Sequence, residues 1–297
     1  MVDRKALGWF LGITLIISWP LFLLPLLFPG AASPNAQLTT TGLWAFAMWG
    51  PGLAAILTTV LILKKPFRSL NLNRLGPRRF YLWAWFLPTA LSIAGGLFTL
   101  LFGIAKLDTQ FTLIREAIAS AAGGGNVPAG LVVTIQVAFA IILAPFINVP
   151  FALGEELGWR GFLLPHLMPL GQWKAILLSG AIWGLWHAPA ILQGLNYPGY
   201  PVAGIFMMVV FCVLLATILS WLYLNTKSPW VAALGHGAVN AVAGLPVFFL
   251  KPGFKMAFGG TLATFPAWIG MALFIAWLIV SKRLPVQVQE EAQASPA

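Results

Sequence analysis

The chain has 297 residues, of which 60% are hydrophobic and only 8% are charged. Soluble domains carry about 25% charged residues, so this composition excludes an ordinary soluble protein and favours one that spans a membrane. The net charge of +10 is concentrated in short segments between apolar stretches. This pattern indicates membrane orientation and contact with anionic lipid, and we expect no nucleic-acid partner.

Long apolar stretches recur along the chain, and about 20 such residues are needed to cross the hydrocarbon core. We predict about eight transmembrane helices, at approximately 8–29, 43–63, 80–104, 129–153, 175–192, 202–224, 230–250 and 266–281. The first stretch is too long for the apolar part of a signal peptide and is interpreted as a retained helix. The predicted fold class is therefore an all-α, polytopic membrane protein.

The segments outside these stretches predict orientation and domain limits. Basic residues precede the first stretch, fill the 64–79 loop and follow the eighth stretch, whereas the loop between the first two stretches is uncharged. The positive-inside rule then places both termini and the 64–79 loop in the cytoplasm, with the protein in the cell membrane. We predict a single membrane domain over residues 1–284 and a disordered cytoplasmic tail over 285–297.

Two local features lie between the third stretch and the end of the fourth. The 105–128 connection is predicted to hold a short amphipathic helix before a run of three glycines. Pro145 and Pro150 are expected to bend or interrupt the fourth helix. Broken helices are tolerated in membranes where a cavity or neighbouring helices satisfy the freed backbone groups, so the break favours a cavity near residue 155.

Ionisable side chains within apolar stretches are costly and usually face a bundle interior or a water-filled cavity, so each is a functional candidate. Most of them, together with one amide, lie in the fourth, fifth and seventh stretches: Glu155, Glu156, Arg160, His187, His236 and Asn240. Three separate helices would therefore have to bring these side chains together.

Helical geometry sorts the charged residues of the fourth stretch. Glu156 and Arg160 are four residues apart, which places them on one face and predicts an ion pair. Glu155 is rotated by about 100° from Glu156 and is left as the free carboxylate. His236 and Asn240 are also four residues apart and present an imidazole and an amide to one side.

A carboxylate, two imidazoles and an amide suit hydrolysis of a peptide bond by water. Glu155 would take the proton of the attacking water, and His187 would orient that water or share the proton. His236 and Asn240 would donate to the developing oxyanion. This mechanism requires no cofactor, but Glu155 with the two histidines could instead ligate zinc with an open position, and spacing does not separate the two alternatives.

Other intramembrane hydrolase chemistries lack their residues in this chain. No His-Glu-x2-His sequence is present, which excludes a helix-borne zinc motif of that type. Asp3 and Asp108 are the only aspartates, and neither lies in an apolar stretch, so there is no membrane aspartyl pair.

Three motifs in the order and spacing seen here resemble those of the CPBP family: Glu155-Glu156-x3-Arg160, Trp183-x3-His187 and His236-x3-Asn240. This family comprises the type II CAAX prenyl endopeptidases and the Abi bacteriocin-immunity proteins of membranes. The resemblance covers about residues 147–250. One departure is Trp183, because the second motif is often written with phenylalanine.

The resemblance implies an eight-helix intramembrane endopeptidase with a cavity that opens toward the cytoplasm. By motif position, Glu155 is the implied base and His187 its partner, while His236 and Asn240 are the implied oxyanion donors. The implied supporting residues are Glu156, Arg160 and Trp183. Family members that act on prenylated substrates remove the last three residues of a C-terminal CAAX sequence. The expected partners are thus the lipid bilayer and a peptide or lipidated protein substrate; the family has been called both glutamate-type and metalloprotease.

Two other functions remain open at this point. A catalytically inactive scaffold could bind a peptide or lipid, as in bacteriocin immunity, although the complete motif set argues against loss of activity. A transporter could use the buried charges as a proton or ion relay. The clustering of these charges in one half of the chain, without an obvious inverted repeat, argues against transport.

Overall fold

The computed structural model describes residues 2–27, 34–121 and 127–287. Regular structure in these ranges is helical, apart from one antiparallel bridge between Leu107 and Leu250. The described α-helices, in chain order, are α1 (Arg4–Leu23), α2 (Pro34–Ala47), α3 (Trp49–Leu57), α4 (Arg79–Leu101), α5 (Thr112–Ser120), α6 (Ala129–Ile142), α7 (Ala144–Gly158), α8 (Leu164–Leu167), α9 (Gln172–Trp186), α10 (Ala188–Leu192), α11 (Pro201–Thr226), α12 (Pro229–Val242) and α13 (Phe265–Val280).

Several helical segments are long and apolar enough to cross a membrane. Within the described ranges there are five: Arg4–Leu27, Ala36–Ile62, Arg79–Leu101, Pro201–Thr226 and Pro229–Phe249. A sixth is formed if α6 and the bent continuation Ala144–Leu170 act as one span. The predicted class, an all-helical multi-pass membrane protein, is confirmed.

The number of eight spans stays a prediction. The fifth predicted stretch is divided between α9, of 15 residues, and α10, of 5 residues. The eighth corresponds to α13, of 16 residues. At a rise of 1.5 Å per residue, α13 is about 24 Å long, which is shorter than the hydrocarbon core of about 30 Å.

The predicted interruption of the fourth stretch lies at Leu143, between α6 and α7, whose axes differ by 47°. Pro145 lies in the first turn of α7, where the missing N–H has no intrahelical partner to lose. Pro150 lies inside α7, which continues past it. The predicted amphipathic helix of the 105–128 connection is α5, while the three glycines after it lie outside the described residues.

Glycines let the helices that carry the ionisable groups approach one another closely. A Cβ on Gly158 would lie 2.4 Å from Cβ of Pro51 in α3, and one on Gly237 would lie 2.7 Å from the carbonyl oxygen of Pro145 in α7. A Cβ on Gly184 would lie 2.5 Å from the backbone of α11. Each of these glycines is within three residues of a predicted site residue, so close helix packing fixes the position of the site.

The beginning of the predicted tail is anchored to the helical domain. Leu284 is buried, and the side chain of Gln172 both donates to the carbonyl oxygen of Val286 at 3.0 Å and accepts from its N–H at 2.7 Å. Residues 288–297, which make up most of the segment predicted to be disordered, lie outside the described ranges. The domain limits stay a prediction.

Candidate active site

Glu155 lies in the last turn of α7, only 2% exposed, and carries no ion pair among the described residues. Its Oε2 accepts hydrogen bonds from two indole N–H groups, Trp159 at 3.2 Å and Trp183 at 2.5 Å. No described residue donates a hydrogen bond to Oε1. The carboxylate is therefore fixed through one oxygen, while the other keeps its lone pairs available.

Glu156 points to a different set of partners, as its rotation from Glu155 predicts. Its Oε1 accepts from Nη1 of Arg160 at 2.8 Å and lies 2.9 Å from Nδ1 of His236. Glu156 and Arg160 are fully buried, and His236 is 4% exposed. The predicted ion pair is present, and it extends to His236 of α12, a contact that the spacing did not predict.

Trp183 joins these two groups of residues. While its N–H reaches Glu155, the guanidinium of Arg160 lies over its ring, 4.3 Å from the centroid. The ring of His236 packs edge-on against it at 5.2 Å. A buried cation over an indole face is attracted by the ring quadrupole, so Trp183 contributes both a hydrogen bond and a cation–π contact to the site.

His187 caps the end of α9, partly buried between two indoles. Its Nδ1 lies 2.9 Å from the carbonyl oxygen of Trp183, and its ring centroid lies 4.7 Å from that of Trp186. A carbonyl oxygen can only accept a hydrogen bond, so in the neutral ring Nδ1 carries the proton and Nε2 presents a lone pair. The rings of Trp183 and Trp186 both lie beside His187, with centroids 5.9 Å and 4.7 Å from its own.

Asn240 is placed differently from the other predicted site residues. It lies near the end of α12, one turn beyond His236, and its side chain is exposed. Within the part of the chain that the structure describes, it forms no hydrogen bond to Glu155, His187 or His236. The structure therefore brings six of the seven predicted site residues into one cluster and leaves Asn240 at its edge.

Trp159 is the residue of the cluster that the sequence prediction missed. It follows Glu155 by four residues, at the spacing that aligns side chains along a helix, and this spacing was the available signal. Its ring also packs edge-on against Phe10 of α1 at 5.8 Å. In an apolar helix, an indole at this position is not distinguishable by sequence from a core residue.

Several buried polar atoms of the cluster have no hydrogen-bond partner among the described residues: Oε2 of Glu156, and Nε and Nη2 of Arg160. Buried polar groups usually have a partner, from the protein or from ordered water. These atoms can therefore exchange hydrogen bonds with a water or with a polar group of a bound molecule.

The zinc alternative requires at least three ligating side chains around one point. In the ranges that the structure describes, no three His, Cys, Asp or Glu side chains are placed to hold a metal ion. Glu155 and His236 are each engaged with other partners, Trp183 and Glu156 respectively. Both side chains would have to leave these partners before they could ligate zinc.

Comparison with known proteins identifies the proteins that this chain resembles. Residues 131–242 match a model of the family described as type II CAAX prenyl endopeptidase Rce1-like, and this segment contains all seven predicted site residues. The chain is also 30% identical over 171 residues to CAAX prenyl protease 2 of Methanococcus maripaludis. That alignment covers 54% of this chain and 55% of the relative, so the chain spans about half the length of this curated protein. The resemblance to the CPBP family is thus confirmed over the motif-bearing segment, which is similar to the Rce1-like type II CAAX prenyl endopeptidases.

Proposed function

We propose that the protein is an intramembrane endopeptidase in which Glu155 activates the hydrolytic water. The observation that carries this proposal is the state of the Glu155 carboxylate, buried and held through one oxygen by two indoles. Its other oxygen receives no hydrogen bond from the described residues. A base held in one position, with one oxygen available, is what general-base catalysis requires.

The proposed reaction begins when Oε1 of Glu155 accepts a proton from a water molecule. The water oxygen bonds to the carbonyl carbon of the scissile peptide, and the carbonyl oxygen becomes an oxyanion. The proton then passes to the amide nitrogen as the C–N bond breaks. Nε2 of His187, with its lone pair, would accept the second hydrogen bond of the water and so fix its direction of attack.

His236 and Asn240 are the proposed donors to the oxyanion. Since Nδ1 of His236 faces Glu156, the ring can donate through Nε2 only when it carries both protons. Glu156 is the carboxylate that faces that imidazolium, and Arg160 holds Glu156 in place. The exposed amide of Asn240 would complete the oxyanion site from the open side of the cluster.

The printed names of the family and of the archaeal relative support the substrate class. We infer that the substrate is a membrane-associated peptide or protein, cleaved near the C-terminus of a prenylated CAAX-type sequence. The distribution of basic residues supports an orientation in the cell membrane with both termini in the cytoplasm. The site would then lie between the midplane and the cytoplasmic face, in a cavity that opens to that side.

The test is cleavage of a farnesylated CAAX reporter peptide by the purified full chain and by its Glu155→Gln variant. Glutamine keeps an acceptor for both indoles but cannot take a proton, so we expect kcat to fall by at least about 100-fold, in the range of general-base effects. The matched control is Glu116→Gln, which removes an exposed carboxylate from α5 and should leave turnover unchanged. Each protein is assayed with and without a zinc chelator.

The outcomes of this assay distinguish a glutamate-activated mechanism, a metal-dependent mechanism and an inactive scaffold. Turnover lost only in the Glu155 variant supports the glutamate-activated mechanism. Loss of wild-type turnover with the chelator, restored by zinc, contradicts a metal-free mechanism. Absence of cleavage by the wild type, for prenylated and unprenylated peptides alike, contradicts the endopeptidase and favours the inactive binding scaffold.

A further inference from the structure

A second polar region lies away from the candidate active site. It is a pocket of about 380 Å³ between the beginning of α4, the end of α11 and the segment that follows α13. We call it the basic pocket. Arg79, Lys282 and Arg283 line it, and all three side chains are exposed.

Among the described residues, no acidic side chain balances the charge of the basic pocket. None of the described residues that line it is acidic, and Asn225 supplies a further polar side chain. The described ion pairs of the chain involve other residues, namely Glu156 with Arg160 and His236. Three cations that share a concave surface attract an anion.

Aromatic rings hold two of these cations in defined positions. The guanidinium of Arg79 lies over the ring of Phe80 at 5.2 Å, and that of Arg283 lies over Trp277 at 4.7 Å. A guanidinium that stacks by its face keeps the N–H groups of its edge free, and these match the oxygens of a phosphate two at a time.

The rings continue beneath the pocket as a packed cluster. Trp83 of α4 lies 5.8 Å from Trp221 of α11 and 5.8 Å from both Phe274 and Trp277 of α13. Tryptophan is enriched at the level of lipid head groups, where its ring is apolar and its N–H is polar. The basic pocket therefore has cations above and an aromatic floor below, at the membrane interface.

The wall formed by the segment after α13 is also held in place. Leu284 is buried, and Val286 exchanges two hydrogen bonds with the side chain of Gln172 at the beginning of α9. Lys282 and Arg283 are thus carried between the end of a helix and an anchored segment, which fixes this part of the backbone.

We propose that the basic pocket binds the phosphate group of an anionic phospholipid. The cations would hold the phosphate, while the acyl chains would extend past the aromatic floor toward the lipid-facing side of α13. The positive-inside rule assigns this end of the helices to the cytoplasm, whose leaflet carries the anionic lipids. A free phosphate ion would use the cations but not the aromatic floor. This inference does not depend on the proposed peptidase activity.

The experiment measures lipid binding to the purified full chain by native mass spectrometry, with phosphatidylglycerol compared with phosphatidylcholine. The variant Arg79→Gln/Lys282→Gln/Arg283→Gln is matched by Lys64→Gln/Lys65→Gln/Arg68→Gln, which removes the same charge from the loop after α3. Each cation that contacts the lipid phosphate contributes about a fivefold gain in affinity, so we expect the first variant, which removes three such contacts, to lose on the order of 100-fold in affinity for phosphatidylglycerol. The second should keep the selectivity of the wild type.

An equal loss in both variants would show that overall charge, and not the basic pocket, attracts the lipid. Equal binding of the two lipids by the wild type would also overturn the proposal, as would displacement of phosphatidylglycerol by equimolar inorganic phosphate. Arg283→Lys keeps the charge but loses the planar fork, and it serves if the triple variant fails to fold. It should weaken phosphatidylglycerol binding and leave phosphatidylcholine binding unchanged; unaltered phosphatidylglycerol binding would contradict the bidentate contact.

Discussion

The candidate active site and the basic pocket are both rich in polar groups, but they satisfy their charges in opposite ways. In the active site, Arg160 and Glu156 are fully buried and paired with each other. In the basic pocket, Arg79 and Arg283 are exposed and lie against aromatic rings, and no described residue of its lining is acidic. The difference indicates that the first region depends on its own internal partners, whereas the second is suited to an external one.

Removal of one partner from the buried pair should give the largest effect on stability. Arg160→Met leaves the Glu156 carboxylate buried without its cation, and breaking a buried ion pair in this way costs about 3–5 kcal/mol. The measurement is the free energy of unfolding of the purified protein in detergent, by denaturant titration. Arg79→Gln removes one cation from the basic pocket and should change the free energy of unfolding by less than about 0.5 kcal/mol, as at other surface sites.

A double variant shows whether loss of the ion pair causes the instability expected of Arg160→Met. Glu156→Gln/Arg160→Met removes both charges and keeps an acceptor oxygen for His236, so it should be more stable than Arg160→Met alone. Replacement of a whole buried pair is often close to neutral. If the double variant is as unstable as the sum of two independent losses, packing of Arg160 on Trp183 and not its charge holds this region together.

Close helix packing around the active site gives the second prediction. Gly158→Ala places a Cβ 2.4 Å from Cβ of Pro51, so α3 and α7 must separate, and overpacking of this kind costs about 1–3 kcal/mol. Gly12→Ala in α1 meets no atom within 4 Å and should be neutral or stabilising by up to about 1 kcal/mol. Thermal unfolding of the two variants in parallel checks this contrast, and equal melting temperatures would contradict it.

The sequence predicted those features of the site that lie within one helix. Glu156 and Arg160 pair because helical spacing alone places them together. The contact between Glu156 and His236 joins residues 80 positions apart, so it depends on how α7 packs against α12. No spacing rule gives that packing.

Other features were not accessible to sequence reasoning for different physical reasons. Trp159 was missed because an indole in an apolar helix resembles any core residue. Hydropathy also could not show that residues 175–192 form two short helices, since a break at His187 leaves the apolar composition unchanged. Asn240 shares a helix face with His236 but lies one turn nearer the end of α12, and its side chain is exposed although Val239 and Val242 are buried.

A third prediction concerns the hydrogen bond that fixes Glu155. Trp183→Phe removes the indole N–H but keeps an aromatic ring beside Arg160 and His236, and phenylalanine often occupies this position of the motif. We expect a loss of about 1 kcal/mol in stability, typical of one hydrogen bond, with a decrease in kcat at an unchanged KM. Trp159 still holds the carboxylate, so activity should decrease without being abolished.

The matched control for this change lies three residues further along the same helix. The indole N–H of Trp186 is buried without an acceptor among the described residues. Trp186→Phe removes no hydrogen bond but loses the same ring volume, so the difference between the two variants in stability and kcat measures the bond to Glu155. A similar decrease in kcat for both variants would mean that the size of the ring beside His187 matters and that the bond to Glu155 does not.

The smallest expected effect on stability comes from Asp108, a buried carboxylate that lies outside the membrane-spanning helices. Asp108 is buried in the loop between α4 and α5, outside the spans, and accepts hydrogen bonds from the backbone N–H groups of Gln110 and Thr112. Burial by itself raises the pKa of this carboxyl, but these bonds, the Thr112 hydroxyl and the charge of Lys251 outweigh it and lower the pKa below 3.8.

The ionised form of Asp108 is thus favoured in the folded protein. Its contribution to stability is complete above the unfolded pKa of about 3.9 and is lost as the pH falls through the lower, folded value. Asp108→Asn should consequently be less stable than the wild type near neutral pH and approach it as the pH falls below about 4, toward the lower folded pKa. Thermal unfolding as a function of pH tests this, and a difference between Asp108→Asn and wild type that does not depend on pH would assign the effect to packing of the loop.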